Sequence, residues 1–63
     1  MKKDQIVEIK FHTPDDTYKA LEIYHEKKKT FFGVGTNEIR THVNMLYNLD
    51  MANVKYTITK RVN

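Results

Sequence analysis

The segment Thr13-Pro14-Asp15-Asp16 constrains this chain more than any other, because it ends one kind of secondary structure and starts another. Thr13 can accept a backbone N–H as a helix N-cap. Pro14 suits the first helical position, where its missing donor has no partner to lose. Asp15 and Asp16 then face the positive end of the helix dipole. Ahead of this boundary, Gln5 to His12 sets Val7, Ile9 and Phe11 against Glu8, Lys10 and His12. That is the period of two of a half-buried strand, with Ile6 the one apolar residue on its polar side.

The first helix is expected from Pro14 to about Thr30. Thr17, Ala20, Leu21, Tyr24, Lys28 and Phe31 form one stripe, with Ile23 on its flank and Lys19, Glu22 and Glu26 opposite. Lys27-Lys28-Lys29 falls in the last turn, where cations complement the carbonyl end. Gly33 and Gly35 then break the helix. A second helix is read from Thr36, as N-cap, to Ala52, because Ile39, Val43, Leu46 and Leu49 recur at spacings of four and three. Asn53 tolerates the turn that ends it. The closing strand spans Val54 to Val62, with Val54, Tyr56, Ile58 and Val62 on one side and Lys55, Thr57, Thr59 and Arg61 on the other.

The expected fold is therefore a single α+β domain over residues 1–63, ordered β-α-α-β. A helical hairpin covers one face of a two-stranded antiparallel sheet. A competing reading makes Lys29 to Gly35 a short middle strand. With 63 residues, such a chain buries only about 60% of its unfolded surface, and two strands alone are a marginal sheet. Edge-to-edge pairing of two copies into a four-stranded homodimer is the natural remedy.

Composition narrows the chemistry. The chain has no Cys and no Ser, which excludes disulfides, thiolate metal sites and both common hydroxyl or thiol nucleophile motifs built on them. His12, His25 and His42 stand on three separate elements, without the tight spacing of helical metal ligands. Gly33-Val34-Gly35-Thr36 lacks the lysine and spacing of a phosphate loop. No catalytic, cofactor or metal site is expected. Met1-Lys2-Lys3-Asp4 lacks the apolar run of a signal peptide, and no stretch is long enough to span a bilayer, so a cytoplasmic protein without membrane contact is expected.

Two candidate binding surfaces remain. Residues 54–63 hold Lys55, Lys60 and Arg61 with no acid, a local charge equal to the whole chain's net +3. If both helices cover one sheet face, the other presents Lys10, His12, Lys55, Thr57, Thr59 and Arg61, basic and hydroxyl donors suited to phosphates. No aromatic residue has the outward parity that base stacking needs. The second candidate is Phe31-Phe32 with Tyr47 and Met51. Adjacent residues of a helix point about 100° apart, so Phe31 and Phe32 cannot both be buried equally there. Exposed aromatic and methionine side chains suit a protein partner. The leading expectation is a non-enzymatic module that binds another protein as a regulator or inhibitor, of a size common among phage products. The alternative is a small basic nucleic-acid-binding protein that acts through its exposed sheet face.

Overall fold

A computed structural model describes residues 5–62 of the chain. The Met1-Lys2-Lys3-Asp4 start lies outside the described residues, as does the side chain of Val62, expected above to point inward. Strand β1 (Ile6–Phe11) forms as its alternation dictates, with Val7, Ile9 and Phe11 buried on one face. Helix α1 (Pro14–Lys27) starts at the expected boundary, where the Thr13 hydroxyl accepts the Asp16 N–H.

Asp16 does more than sit in the first turn. Its carboxylate accepts the Lys55 N–H at 3.2 Å and the Thr13 hydroxyl at 2.9 Å, tying the start of α1 to the last strand. The Lys55 N–H, followed by the Thr13 hydroxyl, holds its carboxyl below the usual carboxylate range. The buried stripe of α1 is Asp16, Ala20 and Tyr24, each four residues apart. The helix ends earlier than expected, at Lys27. Lys28 takes a left-handed conformation (φ 56°, ψ 42°) and turns the chain away.

The second half departs from the helical expectation. Residues 32–42 form a β-hairpin of β2 (Phe32–Gly35) and β3 (Glu38–His42), turning at Thr36-Asn37 with Asn37 left-handed at φ 58°. Thr36 is thus a turn residue and not an N-cap. Ile39 and Thr41 point inward as alternate residues of a strand, both buried, and the Thr41 hydroxyl bonds the buried Tyr24 hydroxyl. Only the end of the expected helix is helical, as a single 3-10 turn (Val43–Met45) followed by α2 (Leu46–Met51). Asn53, at φ 62°, ends it where the sequence suggested. The competing middle-strand reading of residues 29–35 is realised in part by β2.

The last strand, β4 (Tyr56–Val62), completes one antiparallel sheet in the order β2-β3-β1-β4. The chain order is β-α-β-β-α-β, and each helix links strands separated by a third. β1 and β2 flank β3, and β3 and β4 flank β1, which is the split βαβ arrangement. The α+β class expected from sequence holds, but its two-stranded sheet is corrected. All four strands come from one chain, so no second copy is required to make them. Three or more strands backed by helices are what makes such a sheet independently stable. The core lies between the helices and one sheet face: Ala20, Tyr24, Met45, Leu46 and Leu49 pack against Val7, Ile9, Phe11 and Ile39.

A β-bulge decides what the opposite face carries. Along β1 and β4 the register runs Phe11–Tyr56, Lys10–Thr57 and Ile9–Ile58, then shifts so that Glu8 faces Lys60 and Val7 faces Arg61. Thr59 is the extra residue, and its hydroxyl donates to the Glu8 carbonyl at 3.1 Å. Without the bulge Lys60 would stand opposite Val7, on the helix side. With it, Lys60 meets the opposite charge of Glu8 on the open side.

Candidate functional site

Among the described residues no helix covers the second face of the sheet. Residues facing one another across an antiparallel ladder share a face, so the registers give its composition directly. One row crosses all four strands as Phe32, Arg40, Glu8 and Lys60. The next row holds Glu38, Lys10 and Thr57. Strands about 4.8 Å apart make the first row roughly 14 Å wide.

The charges in these rows are unequally committed. Arg40 donates to a single Glu8 oxygen through Nη2 at 2.7 Å and Nε at 3.1 Å, the one salt bridge among the described residues. Glu38 leans over Gly35, where its carboxylate occupies the space a Cβ would need. It therefore turns from Lys10 toward the β2 edge. Lys10, Lys55 and Lys60 are exposed and form no salt bridge among the described residues. The His12 ring nitrogen Nε2 lies 2.8 Å from the Thr57 hydroxyl, fixing both at the β1–β4 end of the face.

Of the six residues expected on this surface, Lys10, His12, Lys55 and Thr57 lie together. Thr59 sits in the bulge with its hydroxyl already donated. Arg61 is a correction: the bulge pairs it with Val7, so it projects from the helix side of β4. Lys60 replaces it. Phe32 is the larger correction. Sequence parity places no aromatic side chain outward, because a helix reaching Thr30 puts Phe31 and Phe32 at its end. In a strand, successive residues alternate, so Phe31 turns inward and Phe32 outward. Phe31 is half-buried and meets Tyr24 edge-on at 5.2 Å and 74°. Phe32 is 71% exposed. The signal that would have revealed this is the alternation Ile39-Arg40-Thr41-His42 after a Thr36-Asn37 turn.

The other expected set is divided between layers. Tyr47 and Met51, four residues apart on α2, are 68% and 69% exposed on the helical side. Phe32 is on the opposite side of the sheet, and Phe31 belongs to the core. His25 is exposed on α1, and His42 lies on the open face beside Ile6. Among the described residues no three His, Cys, Asp or Glu side chains gather into a metal-binding group. No helix among them is long and apolar enough to cross a membrane. No protein-family model, curated protein or solved structure matches the chain.

Proposed function

We propose that this protein is a non-enzymatic binding module whose open sheet face holds a single-stranded nucleic acid. The observation that carries this reading is Phe32, an exposed aromatic ring on the same face as Lys10, Lys55, Lys60 and Arg40. Single-strand recognition combines a basic surface that follows the phosphates with aromatic rings on which bases stack. Four-stranded sheets of this topology use that combination, stacking two or three bases. Here the open face of the central strands carries the Glu8–Arg40 pair and, at its edge, the His42 imidazole, but no phenyl, phenol or indole ring. One base therefore stacks, on Phe32 at the β2 side, while the lysines and the Thr57 hydroxyl take phosphates toward β4. Such contacts position a strand and read little sequence.

The test is a titration of the labelled protein with a six-thymidine oligodeoxynucleotide, followed by amide chemical shifts. Shifts concentrated at Lys10, Phe32, Arg40, Thr57 and Lys60 support the reading. A flat response at low salt defeats it.

A second reading rests on a different observation, the Tyr47–Met51 stripe of α2. Aromatic and methionine side chains are enriched in protein interfaces. A protein regulator docking there would use the helical layer and leave the sheet face free. In that case Tyr47→Ala would weaken the complex and Lys60→Glu would not.

A further inference from the structure

Lys28 and Lys29 close the end of α1 with their backbones, not their side chains. Two of its terminal carbonyls accept main-chain donors, the Lys28 N–H on His25 O at 3.2 Å and the Lys29 N–H on Tyr24 O at 2.9 Å. Lys28 also holds a left-handed backbone (φ 56°), a position that glycine or asparagine fills at less conformational cost. A side chain kept where its backbone is disfavoured points to a use for that side chain.

Its surroundings suggest which. A recess of about 260 Å³ lies beside β3 where β2 begins, lined by Ile6, Phe32, Arg40 and His42 of the open face and also by Phe31 and Thr41. A second, about 270 Å³, lies at the end of the sheet between Lys28, Lys29, Asn44 and Met45. Thr30 and His42 line both, so the two adjoin. Among the described residues no carboxylate lines either recess, and neither Lys28 nor Lys29 forms a salt bridge. Phe32 walls the first recess. The second offers two ammonium groups, an amide and a hydroxyl, which are donors for a phosphate oxygen.

We infer that the Lys28–Lys29 recess is a phosphate subsite for the strand held on the sheet, taking a phosphodiester several nucleotides beyond those held on the face, where a longer strand leaves it past His42. This rests on the sheet-face reading and adds to it a direction of exit and a minimum length. A strand long enough to pass His42 gains contacts that a shorter one cannot reach.

The experiment compares thymidine oligonucleotides of three and six residues by fluorescence anisotropy, using wild type, Lys28→Gly, Lys29→Ser and Lys60→Glu. Lys28→Gly relieves the left-handed backbone, so its thermal midpoint rises while its affinity for the six-residue strand falls about threefold to tenfold. Loss of one phosphate contact also flattens the log–log salt dependence by about 0.7. Lys29→Ser weakens the six-residue strand to a similar degree, and neither change affects the three-residue strand. If both groove variants bind six thymidines like wild type while Lys60→Glu does not, the subsite is wrong and the sheet-face reading stands. If the wild type binds neither strand, both fall.

Discussion

Removing one ring of Phe31-Phe32 should be costly and removing the other nearly free, although the two residues are adjacent. Truncating a fully buried phenylalanine to alanine costs about 3–5 kcal/mol. Phe31 is half-buried against the core, so roughly 2 kcal/mol is the expected loss for Phe31→Ala. Part of that is its edge-on contact with Tyr24, since such aromatic pairs contribute about 0.5–1.5 kcal/mol beyond area. In a domain this small, each kcal/mol moves the thermal midpoint by about 4–8 °C, so a drop of roughly 8–16 °C follows. Phe32, at 71% exposure, should change stability by no more than about 0.5 kcal/mol on truncation. Urea unfolding of both variants measures the difference, with an unchanged slope showing that only stability moved. Equal losses would refute the strand alternation on which the placement of both rings depends.

Other consequences are simpler to state. Leu49→Ala removes a side chain with no exposure and should cost about 2–5 kcal/mol, against about 0.5 kcal/mol or less for Met51→Ala two residues on, again by urea. Because Asp16 has a depressed carboxyl pKa in the fold, it stabilises the protein above the unfolded value near ~4, and that contribution is lost as pH falls further. Asp16→Asn should accordingly flatten the acid limb of a stability-versus-pH curve. Burial, then the Asp50 carboxylate bonded at 2.8 Å, pushes the Tyr56 hydroxyl up to about 12. Its contribution should be complete below about pH 10 and fade as pH rises through that higher value, with Tyr56→Phe removing a late step in the alkaline absorbance titration. Since one chain supplies all four strands, the thermal midpoint should not depend on protein concentration, as a folding-linked dimer would require.

The first third of the molecule was legible because its signals are local. Alternation from Val7 to Phe11, the Thr13 cap and Pro14 each act within a few residues, and no distant contact opposes them. The middle was misread because Ile39, Val43, Leu46 and Leu49 satisfy a helical spacing while Ile39, Thr41 and Val43 equally satisfy a strand. Propensity and periodicity cannot arbitrate between them. Tertiary structure does: β3 pairs with β1 along its length and buries Ile39 and Thr41, contacts that no helical reading offers. Once those residues extend, Gly33 and Gly35 belong to a strand and Phe32 turns outward. The bulge at Thr59 was illegible for a related reason. It depends on which residue of β1 each residue of β4 meets, a choice set by the partner strand. Half of the candidate site therefore followed from parity within single strands. Phe32, Arg40 and Lys60 required knowledge of pairing.

Lys60 and Arg61 test the central claim most directly, because they are neighbours with equal charge on opposite faces of one strand. Charge reversal at either changes the net charge identically, so long-range electrostatics shifts binding to the same extent in both. A phosphate contact by a charged side chain contributes about 1.5–3 kcal/mol, or roughly tenfold and more in affinity. The measurement is fluorescence anisotropy of a labelled six-thymidine strand at low salt with Lys60→Glu and Arg61→Glu, both checked for native unfolding midpoints. The open-face account predicts a loss of at least tenfold for Lys60→Glu and less than about threefold for Arg61→Glu. Equal losses, or a larger one at Arg61, would contradict it.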